Sequence, residues 1–199
     1  MPKVLQVSGD ALRALQERFQ QGDRDAFEAL VEPCLDDLYT LCLRLTNNAA
    51  EAEDLAQEAL VKALRKHHQY RPGNALRPWL LTIGANLARS RLRSVWWRRV
   101  LPFAKETETE TTPEVLNEAM ERDRAVREAL ATLPPMYREA VAVFHLQDLS
   151  YAEMAEITGL KVPALKQRVR RGTKMLREAI GRLYPELVPI RKGTGERLT

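Results

Sequence analysis

Cysteine is scarce: Cys34 and Cys42 are the only two in 199 residues. Their number and spacing allow neither a disulfide framework nor a Cys-x-x-Cys redox or zinc motif, so both are expected to be core or boundary thiols. No stretch approaches the roughly 18 uncharged apolar residues of a membrane span, and Met1 to Arg13 lacks the apolar run of a signal peptide. A cytoplasmic protein without membrane insertion is expected. His67, His68 and His145 have no metal-binding spacing such as His-Glu-x-x-His, and no glycine-rich loop is present to cradle a phosphate. Neither a metal, a cofactor nor a catalytic site is therefore expected. Aromatic residues make up 6% and hydrophobic residues 45%, which suffices for one or two small cores but not for a large enzyme barrel.

Strand-like alternation is missing too, and nothing repeats at a fixed period. Apolar residues return at steps of three and four, with Gly and Pro between the stretches, so the spacing predicts an all-α chain of two small helical domains. The first covers 10–101, with helices over Ala11–Gln21, Asp25–Thr46, Ala49–His67 and Arg77–Arg93. Residues 102–113, rich in Glu and Thr, offer almost nothing to bury and are expected to be a flexible acidic linker. The second domain covers 114–184, and 185–199 is read as a tail.

The net charge is only +4, but the charges are segregated. Gly84 to Lys105 and Lys161 to Arg177 are rich in Arg and Lys and contain no acid, whereas Glu106 to Glu121 contains Glu and no base. Two basic blocks, one in each domain, suggest two surfaces that meet a polyanion, most simply nucleic acid.

Ser150-Tyr-Ala-Glu153 has the form of a capping box, with the Ser hydroxyl and the Glu carboxylate satisfying first-turn amides reciprocally. The helix that follows runs only to Thr158, because Gly159 supplies a turn and Pro163 suits the first turn of another helix. A short helix, a Gly turn and a basic helix form a helix-turn-helix pattern. On the second helix Leu165, Val169 and Leu176 share the inner side, while Gln167, Arg170, Arg171 and Lys174 point outward. Guanidinium groups clasp phosphates or the acceptor edge of guanine, and an amide reads adenine.

In the first domain, Ala52, Leu55, Ala56, Ala59, Leu60, Ala63 and Leu64 form the core stripe of one helix, leaving Asp54, Gln57, Glu58, Val61, Lys62 and Arg65 on the opposite face. That face suits either solvent or a partner helix. The next helix puts Trp79, Thr82, Asn86, Arg89 and Arg93 in one stripe, followed by Trp96 and Trp97 interleaved with cations. Indole, amide and guanidinium in one line can stack on bases, bond their edges and hold phosphates. Trp79 at a helix start is equally a core residue.

Three stretches carry a resemblance. They are Asp54-Leu-Ala-Gln-Glu-Ala-Leu-Val-Lys-Ala-Leu-Arg65, Trp79-Leu-Leu-Thr-Ile-Gly-Ala-Asn86-Leu-Ala, and Leu149-Ser-Tyr-Ala-Glu-Met-Ala-Glu-Ile with Val-Pro-Ala-Leu-Lys-Gln-Arg168. In this order they resemble the extracytoplasmic-function (ECF) group of bacterial RNA polymerase sigma factors, over about Asp23 to Ala179. The resemblance implies an alternative sigma factor that binds core RNA polymerase and promoter DNA, with an anti-sigma factor as a possible further partner and the nucleoid as its place of work. It implies that Asp54, Gln57, Glu58, Val61 and Arg65 dock on the β′ clamp helices, with the β flap as the second polymerase contact. It also implies that Trp79, Asn86, Arg89, Arg93, Trp96 and Trp97 open and read the −10 element, and that Lys166, Gln167, Arg170 and Arg171 read the −35 element, with Lys174 joining them by its place on the same outward face. Leu81, Thr82 and Ala85 stand where the family often has an aromatic and arginines, and Gly172 and Thr173 stand where Ala and Arg are usual. Gly172 within a helix lowers local helix stability by about 1 kcal/mol relative to Ala.

Two rivals remain at this level. An ordinary helix-turn-helix regulator accounts for Ser150 to Arg177 and leaves the first domain unexplained. A degenerate sigma-like protein would dock on polymerase without melting DNA.

Overall fold

The computed structural model describes residues 9–100, 118–146 and 148–185, with backbone alone for 94–100 and 118–120. The acidic linker expected over 102–113 lies outside the described residues, as does nearly all of the tail expected over 185–199. Among the described residues the regular structure is entirely helical.

The first domain opens with α1 (Gly9–Gln20) and α2 (Arg24–Val31). Asp23 caps α2, its carboxylate accepting from the Ala26 amide at 3.1 Å. The single helix expected over Asp25–Thr46 is two helices. Pro33 lacks an amide proton for a continuing helix, so the chain passes through a 3-10 turn, Glu32–Cys34, before α3 (Leu35–Thr46). Asn47 then turns left-handed at φ 56, and Asn48 caps α4 (Ala49–Arg65) by accepting from the Glu51 amide at 3.0 Å. A 3-10 turn at His67–Gln69 leads towards α5 (Leu76–Val100), which outlasts its expected end at Arg93.

These helices close over Phe19, Leu38, Leu41, Leu45, Leu55, Leu80 and Leu81, each no more than 2% exposed. Phe19 anchors an aromatic cluster, its ring 5.0 Å from Phe27 and 5.4 Å from Tyr70. Cys34 and Cys42 are buried and unpaired by disulfide, and burial pushes their thiols up to about 11 and about 12.

The second domain comprises α6 (Glu118–Ala131), α7 (Pro135–Phe144), α8 (Tyr151–Thr158) and α9 (Val162–Leu183). Both arms of the capping box form: Ser150 Oγ accepts from the Glu153 amide at 3.2 Å, and Glu153 Oε2 accepts from the Ser150 amide at 2.8 Å. Gly159 ends α8 in the left-handed region at φ 68, where a side chain would be strained. Pro163 lies in the first turn of α9. Ala129, Leu130, Leu133, Val141, Leu176 and Ala179 form a cluster belonging to this domain alone.

The two domains are packed together. α5 lies against α8, and α3 against α6 and α7. The main core cluster accordingly continues from Leu38, Leu41 and Leu80 into Val143, Leu146, Met154 and Ile157.

Candidate polymerase and promoter surfaces

α4 presents its two faces as its periodicity requires. Ala52, Leu55, Ala59 and Ala63 are buried, while Asp54, Gln57, Glu58, Val61 and Arg65 are all exposed. Val61 is 50% exposed in the middle of that polar face, a site where an apolar side chain gains from being covered.

α5 holds its stripe unevenly. Trp79 is half-buried, with its ring 5.4 Å from Tyr70 and 6.1 Å from Phe19, so it extends the aromatic cluster while keeping one side open. The Thr82 hydroxyl donates to the Pro78 carbonyl, a bond internal to the helix. Asn86 and Arg93 are exposed. Arg89 is turned toward the second domain, where it donates to the Ile157 carbonyl at 3.1 Å and the Thr158 carbonyl at 3.3 Å. The Trp96 and Trp97 side chains lie outside the described residues.

α9 buries Leu165, Val169 and Leu176 and exposes Lys166, Gln167, Arg170, Arg171 and Lys174. An open groove runs beside this face, lined by Phe144, Gln167, Arg170, Arg171 and Lys174 among others. Lys174 lies 3.9 Å from Glu178 in a solvated pair worth little. Lys166 holds its ammonium 4.9 Å from the centre of the Tyr151 ring. That cation-π contact fixes a flexible side chain at the edge of the cationic face. Sequence reasoning passed over Tyr151, although its place directly after the cap at Ser150 was a usable signal.

It also passed over Arg138 and Glu139, two charged residues within α7. Arg138 Nη1 donates to the Leu45 carbonyl of the first domain at 2.9 Å, and its Nη2 donates to the carbonyls of Ala131 and Leu133. Glu139 is 8% exposed, with Oε1 3.1 Å from Arg89 Nε. The pair is close but not aligned as a hydrogen bond, and Oε1 has no hydrogen-bond partner. Burial therefore outweighs the attraction of Arg89 and Arg168 and pushes the carboxyl up to about 7.

Among the described residues, no three His, Cys, Asp or Glu side chains are grouped to hold a metal, and no helix is long and apolar enough to cross a membrane.

The sigma-70 region 2 family model matches residues 30–98, and the sigma-70 region 4 model matches 123–176. The chain is 34% identical over 173 residues to the RNA polymerase sigma factor CarQ of Myxococcus xanthus, an overlap of 86% of this chain and 98% of that protein. It is 31% identical over 186 residues to the ECF RNA polymerase sigma factor BldN of Streptomyces coelicolor, covering 90% of this chain and 69% of that protein.

The chain belongs to the ECF RNA polymerase sigma factors. It is an alternative sigma factor that directs transcription initiation. Among solved structures, the sigma factor is similar to RpoE in complex with the anti-sigma factor NepR from Bartonella quintana, with a TM-score of 0.65 and 25% identity over 77% of this chain and 96% of that one. It shares its fold with CnrH, solved in complex with the cytosolic domain of CnrY, at a TM-score of 0.65 and 22% identity over 85% and 97% of the two chains. Region 2 thus holds the α4 face and the α5 stripe, and region 4 holds the helix-turn-helix.

Proposed function

We propose that this sigma factor divides initiation among three faces. The outer face of α4, with Asp54, Gln57, Glu58, Val61 and Arg65, docks on the β′ clamp helices of core polymerase, and the second domain meets the β flap. The α5 stripe, with Trp79, Asn86, Arg89 and Arg93 and continuing to Trp96 and Trp97, receives the unpaired strand of the −10 element. The outward face of α9, with Lys166, Gln167, Arg170, Arg171 and Lys174, enters the major groove of the −35 element. The chain works in the cytoplasm on the nucleoid, and an anti-sigma factor restrains it, the latter reading supported by the complex of RpoE with the anti-sigma factor NepR.

One observation supports this division: Asp54, Gln57, Glu58 and Arg65 on α4, Asn86 and Arg93 on α5, and Lys166, Gln167, Arg170, Arg171 and Lys174 on α9 are exposed while apolar neighbours on each helix are buried, so each helix offers a separate face. Run-off transcription with purified core polymerase tests it. A promoter-specific transcript requires all three faces. Binding to duplex DNA without polymerase would favour the ordinary helix-turn-helix regulator, and polymerase binding without a transcript would favour the degenerate rival.

A further inference from the structure

Among the described residues three polar or charged side chains are buried, Gln16, Glu139 and Thr158, and Gln16 is the one on a helix that precedes the region 2 match. It stands on the inner face of α1, three residues before Phe19, where an apolar side chain would pack without desolvating an amide. Its carboxamide instead reaches a turn 57 and 58 residues away. Oε1 accepts from the Gly73 amide at 2.7 Å and Nε2 donates to the Asn74 carbonyl at 3.1 Å, so both ends of the side chain are matched to backbone.

The turn depends on such ties. Gly73 is left-handed at φ 94, and Gly73, Asn74 and Ala75 are all exposed. Its own backbone contributes a bond from the Asn74 amide to the Arg71 carbonyl at 3.2 Å. The Asn74 carbonyl is shared, since the Tyr70 hydroxyl donates to it as well.

The same elements seat Trp79. The Tyr70 ring stands 5.4 Å from the Trp79 ring, and Phe19, one turn along α1 from Gln16, stands 6.1 Å from it. The turn then runs directly into α5, which starts at Leu76. Gln16 thus joins the helix that carries Phe19 to the segment that carries Tyr70 and begins the stripe. An indole that stacks on a base gains most when its direction is set beforehand, because ordering it on binding costs affinity.

We propose that Gln16 is a positioning residue for capture of the unpaired −10 strand, its carboxamide fastening the turn before α5 to α1 and so holding Trp79 in its strand-facing direction. This rests on the reading of α5 as the strand-facing surface. Gln16 itself touches no nucleic acid. Its effect passes through the Gly73 and Asn74 backbone to the seat of the indole.

The test uses Gln16→Leu, which keeps the bulk and removes both bonds. On the full chain, hydrogen exchange at the Gly73 amide should speed up by about tenfold or more, because that amide loses its buried acceptor. In holoenzyme, binding of a single-stranded oligonucleotide carrying the non-template −10 strand of a promoter it transcribes should weaken by about fivefold or more, while affinity for core polymerase stays within about twofold. Leu30→Ala, a truncation in the core of the same domain, is the control for lost stability. It should leave strand binding as in wild type. Unchanged exchange at Gly73 overturns the tie. Faster exchange with normal strand binding overturns the positioning role, and so does an equal loss of strand binding in Leu30→Ala.

Strand binding by Asn86→Ala, measured in parallel, separates the two readings. If Asn86→Ala loses strand binding and Gln16→Leu keeps it, the positioning role alone falls. If both variants bind the strand as wild type does, the stripe reading has failed and the positioning role falls with it.

Discussion

Gly172 of α9 lies so close to Val141 of α7 that a Cβ at position 172 would sit 2.5 Å from Val141 Cγ2 and 3.1 Å from the Tyr137 carbonyl oxygen. Helix propensity alone treats this glycine as a defect, yet α9 runs unbroken through it. Its missing side chain lets α9 approach α7 over the fully buried Val141. Gly172→Ala should therefore destabilise the fold by about 1 to 3 kcal/mol despite the propensity gain of about 1 kcal/mol. Urea denaturation followed by circular dichroism checks this. A midpoint that rises would mean that α9 can move away from α7 without loss.

What was legible in the sequence followed local rules. The capping box at Ser150 and Glu153, the left-handed Gly159 and Pro163 in the first turn of α9 each act within a few residues. Missed features depended on distant partners. Arg89 meets carbonyls 68 and 69 residues away, and Arg138 meets one 93 residues away, so no periodicity could pair them. Trp79 stayed ambiguous because its environment is made by Phe19 and Tyr70 from other elements. Pro33 was the exception, a local signal that the apolar spacing on either side of it masked.

The exposed α4 face predicts a loss of polymerase affinity without a loss of fold. Asp54→Arg combined with Glu58→Arg should weaken binding to core polymerase on the order of tenfold, because rim charges that complement a partner become repulsive. Titration of labelled polymerase, with helicity as the control, measures it. Unchanged affinity removes this face from the docking surface.

On α9, Arg170→Ala and Arg171→Ala should each weaken binding to a −35 duplex. Where the lost contact is to phosphate, the salt dependence should fall by about one unit of slope. Where it is to a base edge, the preference at one position should relax by about 1 to 3 kcal/mol. Binding isotherms across a salt series distinguish the two outcomes, and curves identical to wild type would make this a merely solvated face.

Glu139 predicts a pH dependence of stability. Its carboxyl stands at about 7 in the fold against an ordinary 4.5, so between those values the folded chain holds more protons there than the unfolded chain. Stability contributed by this group is therefore lost as pH rises from about 4.5 to 7 and is level above, a change of roughly 1 to 3 kcal/mol. Glu139→Gln should flatten that part of the profile in denaturation experiments at pH 5 and pH 8. Parallel profiles for wild type and variant would show that Arg89 compensates the buried charge in full.

Melting through α5 is the claim on which the account depends most, and Asn86 tests it with least interference from the fold. Its side chain is exposed, and alanine in its place slightly favours helix. Asn86→Ala holoenzyme should assemble and bind a −35 duplex normally yet open promoters poorly, and a template with a pre-melted bubble should recover part of the lost transcription. The direct measurement is permanganate reactivity of promoter thymines on a closed template. The account predicts a clear loss of reactivity relative to wild type, and reactivity equal to wild type would contradict it.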